Sequence, residues 1–153
     1  MIRVLLSLSI VFCLSVAISS AQICNYSDLE IITTEETKEY RLEGRPYTGF
    51  AVYQDTAEFR GRLEYHFEDG ELILQEGFYE NGQIERHFPF ANGKEEGIFR
   101  MFYQNGQMYI EQYFENGKLH GTLRRWNSQG VLVRHSIFEN GVEVEKILDP
   151  SQW

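Results

Sequence analysis

Phe102-Tyr103-Gln104-Asn105-Gly106-Gln107-Met108-Tyr109-Ile110-Glu111-Gln112-Tyr113-Phe114-Glu115-Asn116-Gly117 is the stretch whose reading decides the fold. It holds two Asn-Gly pairs with nine residues between them. Both central residues of a type I′ turn need positive φ, which glycine takes freely and asparagine tolerates, so each pair predicts a two-residue hairpin turn. Between the pairs, Met108, Ile110 and Phe114 point one way and Tyr109, Glu111 and Tyr113 the other. That period of two is a strand and not a helix.

Working outward, turn pairs ending in glycine recur at Asp69-Gly70, Asn81-Gly82, Asn92-Gly93, Asn105-Gly106, Asn116-Gly117, Gln129-Gly130 and Asn140-Gly141, at glycine intervals of 12, 11, 13, 11, 13 and 11. Neighbouring intervals sum to 24 over the last five, and Phe114-Glu115-Asn116-Gly117 returns as Phe138-Glu139-Asn140-Gly141. Self-similarity at a fixed period is the signature of a repeat architecture. Ten strands are predicted, near 39–43, 47–53, 58–67, 71–79, 83–89, 97–103, 107–115, 121–127, 131–138 and 142–148. Short turns make consecutive strands antiparallel neighbours, so the fold class is all-β: an elongated antiparallel meander of tandem hairpin repeats. In 131–139, Leu132 and Phe138 share one face while Val131, Val133 and Ile137 share the other, so both faces are partly apolar and the sheet is curled or covered in part. The repeat domain runs over 39–148, its first third a degenerate copy or a cap. Before it, 22–38 is a polar lead-in containing Thr33-Thr34-Glu35-Glu36-Thr37, and after it Asp149-Pro150 stops the last strand and opens a tail, 149–153.

The first 21 residues read as a secretory signal peptide. Arg3 gives a basic start, residues 4–18 are apolar apart from three serines, and Ser19-Ser20-Ala21 provides small residues before a cut between Ala21 and Gln22. The apolar run is shorter than the roughly 20 residues of a spanning helix, and nothing later would span as one. Cleavage removes Cys13 and leaves Cys24 alone, so no internal disulfide is expected. Ile23 before Cys24 disfavours lipoprotein processing, which wants a small residue there. The expected location is therefore secreted or periplasmic. The whole chain carries a formal charge of −9, and loss of Arg3 makes it −10. There is no basic surplus for nucleic acid, and anionic lipid would repel it. With 42% apolar and 14% aromatic residues, the chain is too rich in packing groups to be disordered.

The order and spacing of these features resemble the MORN-repeat-variant family of bacterial β-repeat proteins. Tyr40-Arg41-Leu42-Glu43-Gly44-Arg45-Pro46-Tyr47-Thr48-Gly49 is similar to the segment that opens such repeats. The run from Asn92-Gly93 through Gly97, Phe102–Met108 and Tyr113–Lys118 to Gly121 is similar to the repeat itself. The resemblance covers roughly 39–141. It implies a β-meander used for interaction rather than catalysis, and in some members an antitoxin-like or immunity role against a toxin.

Patterns of catalytic chemistry are lacking. His66, His87, His120 and His135 are dispersed with no H-x-H or HExxH spacing, no G-x-S-x-G occurs, and the glycines are turn glycines, so no catalytic, cofactor or metal residues are assigned. Glu95-Glu96, Glu143 and Glu145 would serve an enzyme only if they converged; acids on strands usually form a solvated face. The aromatics Tyr79, Tyr103, Tyr109, Tyr113 and Trp126 recur at related places and are the candidate partner-binding residues. The sequence thus predicts a non-enzymatic protein that binds a protein partner, such as a basic toxin, through an aromatic and acidic surface. The alternative is a structural component of the cell envelope that associates through sheet edges.

Overall fold

The computed structural model describes residues 22–34, 37–56 and 59–148. The signal-peptide segment with its Ala21 side of the cut, and the 149–153 tail, lie outside the described residues. In chain order the elements are β1 (Gln22–Asn25), a single 3-10 turn (Tyr26–Asp28), β2 (Glu30–Thr33), β3 (Lys38–Leu42), β4 (Arg45–Pro46), β5 (Gly49–Thr56), β6 (Phe59–Glu68) and β7 (Glu71–Tyr79). There follow β8 (Ile84–Ala91), β9 (Lys94–Glu95), β10 (Gly97–Phe102), β11 (Met108–Glu115), β12 (Lys118–Trp126), β13 (Leu132–Glu139) and β14 (Val142–Leu148). The protein is all-β, as the alternation predicts. One large sheet runs β1-β5-β6-β7-β8-β10-β11-β12-β13-β14, with the short β9 paired to β8. From β5 onward every neighbouring pair on this path is antiparallel.

The turns fall into two classes, not the one that the Asn-Gly pairs predict. Asp69, Asn92, Asn116 and Asn140 have positive φ, as do the glycines after them, which is the type I′ arrangement. Asn81 and Asn105 are not among the positive-φ residues; only Gly82 and Gly106 are. There the loop has three residues, closed by Tyr79 N–H to Gln83 C=O at 2.8 Å and Gly82 N–H to Tyr79 C=O at 2.9 Å, and the same pair of bonds recurs around Gly106 and Gly130. A type I turn ending in a left-handed glycine is the usual three-residue hairpin. The two classes alternate along the chain, so type I′ turns line one rim of the sheet and three-residue loops the other.

The polar lead-in is more structured than its composition suggests. β1 pairs in parallel with β5, and β2, β3 and β4 form a separate three-stranded sheet. That small sheet caps one face of the large one. Leu29, Tyr40 and Tyr47 are buried with Ala51 and Phe67, and Cys24, Tyr26, Leu42, Tyr65 and Leu72 pack around them. The first predicted strand, 39–43, therefore belongs to the cap and not to the meander. Its hairpin is still a repeat in form. Arg41 pairs with Pro46 and Leu42 with Arg45 across Glu43-Gly44, as Phe90 pairs with Glu95 and Ala91 with Lys94 across Asn92-Gly93. Terminal repeats of this kind shield an otherwise exposed apolar end.

Beyond the cap, Leu123, Ser136 and Phe138 are buried, as is Gly77, among the described residues. The sheet there holds together through rows of cross-strand contacts. Phe88 stacks on Phe99 with centroids 3.9 Å apart, and Phe99 meets Phe114 edge-on at 6.0 Å. Such pairs contribute roughly 0.2–1 kcal/mol each.

Candidate functional site

The structure gives two of the candidate aromatics a structural task. The Tyr79 hydroxyl donates to the Phe102 carbonyl at 2.7 Å and the Tyr103 hydroxyl to the Trp126 carbonyl at 3.0 Å. Each bond spans 23 residues and fastens one three-residue loop to the strand end of the next copy. Desolvation raises the Tyr79 hydroxyl pKa above its ordinary value, keeping it a donor. In the third copy the position is Asn127, whose side-chain oxygen instead accepts the N–H groups of Gln129 and Val131. Tyr103→Phe is expected to cost about 1 kcal/mol, the net value of one hydrogen bond, read as a lower urea midpoint with unchanged slope; an unchanged midpoint would remove the tyrosine link from the account of stability.

Tyr109 lies beside Tyr103 with ring centroids 5.0 Å apart. Tyr113 lines a surface depression of about 310 Å³ with Ile98, Glu111, Thr122 and Arg124. Tyr113 and the Tyr103–Tyr109 pair thus do not converge on one site. Neither do the acids named from the sequence. Glu143 pairs with Arg134 at 3.0 Å, and hydrogen bonds from Ser136 and Arg134 hold its carboxyl below the usual range. The register shifts between Ile137 and Phe138, so Glu145 lies opposite Ile137 and Glu143 opposite Phe138, and this bulge turns the two acids to opposite sides. Glu96 accepts the backbone N–H of Asn116 at 2.8 Å.

What spacing alone hides is a continuous charged row. Glu64 lies opposite Glu76, Glu76 opposite His87, His87 opposite Arg100, Arg100 opposite Glu111, Glu111 opposite Arg124, and Arg124 opposite His135. Directly opposed residues share a face, so all seven lie on the face away from the cap. Glu111 accepts from Arg100 at 3.0 Å and from Arg124 at 3.3 Å, while Glu76 contacts His87 at 3.0 Å and His66 at 3.4 Å. These partly exposed pairs contribute little each, about 0.2–1 kcal/mol. Each member of the row stands six positions before a turn glycine. That signal was present in the sequence and is invisible until the register is known.

The two rims differ in charge. The type I′ rim carries Glu68, Asp69 and Glu71 at its first turn, Lys94, Glu95 and Glu96 at its second, Glu115 and Lys118 at its third, and Glu139 at its fourth. All but Glu96 are exposed. The three-residue loops carry Glu80, Asn81, Gln104, Asn105, Ser128 and Gln129, a nearly neutral set.

The fold and this rim arrangement define a class: a tandem β-hairpin repeat protein built on one large sheet with an N-terminal cap. Residues 72–92 and 95–116 match the family model of the MORN repeat variant. Each matched stretch is one hairpin around a three-residue loop: β7 with β8, then β9 to β11. No curated protein and no solved structure matches the chain. Among the described residues no helix is long and apolar enough to cross a membrane.

Proposed function

We propose that this is a secreted, non-enzymatic repeat protein that binds a basic protein partner along its acidic rim. The gathering of exposed carboxylates on the type I′ rim, against the near-neutral opposite rim, carries the reading. Opposed strands deliver every second turn to the same rim, so a charge bias at those turns becomes a linear acidic strip. Such a strip speeds encounter with a positively charged surface and rejects acidic ones. The concrete form is an immunity or antitoxin protein held against a basic toxin. Co-expression with the product of an adjacent gene should rescue growth and yield a complex. Glu95→Lys combined with Glu115→Lys should slow association about tenfold, as should raising the salt, because rim charges act on the on-rate. An adjacent product that is neither toxic nor bound, or a complex indifferent to both changes, overturns the reading.

A second reading rests on β14, the last strand of the sheet path. It exposes Val142 (65%), Val144 and Ile147 beside Glu145 and Lys146, and a terminal strand is a template for pairing with another chain. Association of copies through it would make the protein a structural component of the envelope. A strict monomer by light scattering at high concentration counts against that role.

A further inference from the structure

We propose that Glu64, His66 and Glu76 bind one Zn²⁺ on the charged face, with Arg62 and His87 holding the two carboxylates in position. The site is separate from the acidic rim and stands whether or not the rim binds a partner. Glu64 and Glu76 lie directly opposite each other on β6 and β7, a placement in which like charges repel. A ligand atom from each of Glu64, His66 and Glu76 lies within 4.8 Å of the others. The three side chains are about one-fifth exposed, so a bound cation would be partly shielded from solvent.

The contacts within the cluster suit ligation better than hydrogen bonding. His66 Nε2 is buried and makes no hydrogen bond, although Glu76 Oε2 stands 3.4 Å away. Two ligands each about 2.0–2.1 Å from a tetrahedral zinc are themselves about 3.4 Å apart. Phe50 meets the His66 ring edge-on with centroids 4.6 Å apart, which restrains the imidazole plane. Both carboxylates are anchored by one oxygen only. Arg62 Nη2 donates to Glu64 Oε1 at 2.9 Å, and His87 Nδ1 lies 3.0 Å from Glu76 Oε1. Each glutamate keeps its second oxygen for a metal, which is how outer partners orient ligands in metal sites. Arg62 also lies over the Phe78 ring at 4.6 Å, which limits its own movement.

One imidazole with two carboxylates selects a borderline divalent ion such as zinc; calcium needs more oxygen ligands than the cluster provides, and magnesium prefers an all-oxygen shell to an imidazole nitrogen. Three protein ligands leave a fourth position for water or a partner's side chain.

The test is calorimetric titration of the full chain, stripped with EDTA, with ZnCl₂ and in parallel with CaCl₂. The expected result is saturable binding of one equivalent of zinc, none of calcium, and a raised melting temperature with zinc. His87→Phe should weaken zinc binding by about 10–100-fold, the usual effect of losing an outer partner. His66→Gln and Glu76→Gln should weaken it further, while His135→Gln and Glu111→Gln leave it unchanged. Far-UV circular dichroism in EDTA shows whether each variant is folded. X-ray absorption of the zinc-loaded wild type reads one nitrogen-donor ring among oxygen ligands independently of any variant. Substoichiometric binding, binding untouched by the His66 or Glu76 substitutions, or a zinc shell without imidazole overturns the proposal.

Discussion

Replacing Tyr47 by alanine is expected to destabilise the capped end of the protein by about 3–5 kcal/mol, the range for removing a large buried aromatic. Tyr47 is 1% exposed, and its ring meets Phe67 edge-on at 5.7 Å. Its hydroxyl lies 2.7 Å from the Gln22 carbonyl and 2.8 Å from that of Phe50, so one phenol ties β1 to β5. Its backbone works as well: Tyr47 N–H donates to the Tyr40 carbonyl and its own carbonyl accepts the Gly70 N–H, both at 2.9 Å. Desolvation raises the hydroxyl pKa above its ordinary value, so the donor stays protonated at neutral pH. Tyr47→Phe keeps the ring and loses only the hydroxyl, which should cost about 1–2 kcal/mol. In a repeat array the loss need not spread evenly, because each copy contacts mainly its neighbours. Amide hydrogen exchange should therefore speed up in β1 to β6 and change little in β11 to β13. A Tyr47→Ala protein with uniform protection, or with a melting curve like the wild type, would refute this division.

Gly70→Ala should cost about 2–5 kcal/mol, against about 1–2 kcal/mol for Gly93→Ala. Both residues close type I′ turns with positive φ, and an L side chain in that region costs roughly 1–2 kcal/mol. They differ in surroundings. A Cβ on Gly93 meets nothing within 4 Å, whereas one on Gly70 would lie 2.9 Å from Glu39 Cγ, 3.2 Å from the Tyr40 carbonyl oxygen and 3.3 Å from Pro46 Cβ. The crowding has a cause. The Gly70 carbonyl accepts the Tyr40 N–H at 2.7 Å and its N–H reaches the Tyr47 carbonyl, so this turn is wedged between β3 and the link from β4 to β5. Forcing a methyl into a packed junction adds about 1–3 kcal/mol to the backbone strain. Denaturant midpoints of the two variants measure the contrast; equal losses would show that the cap does not bear on the turn.

Gly70 shows where reading the sequence succeeds and where it stops. That Gly70 closes a turn between two neighbouring strands is a local fact, and Asp69-Gly70 announces it. Its contact with the cap is non-local. Nothing in Thr33-Thr34-Glu35-Glu36-Thr37 signals that the flanking residues form β2 and β3, because few apolar groups alternate there. β1 is harder still, since a parallel partner 27 residues away leaves no hairpin signature. Recurrence picks out the candidate aromatics, yet only Tyr79 and Tyr103 hold equivalent places, since the third copy has Asn127 there and not Trp126. Recurrence could not separate a tyrosine whose hydroxyl bolts one copy to the next from one facing a surface depression.

The four histidines carry the same lesson further. By spacing they are scattered, and metal-ligand motifs are searched for along the chain. In the sheet, His66 and His87 flank Glu76 because β6, β7 and β8 are adjacent and in fixed register. The sequence alone determined the near-24-residue period and the meander strands from β5 onward, because hairpins form between neighbours and a tight turn calls for glycine. Only the tertiary structure decided which strands the lead-in joins and which charges meet across the face. Those depend on register, and a shift of a single residue would send every one of these side chains to the other side of the sheet.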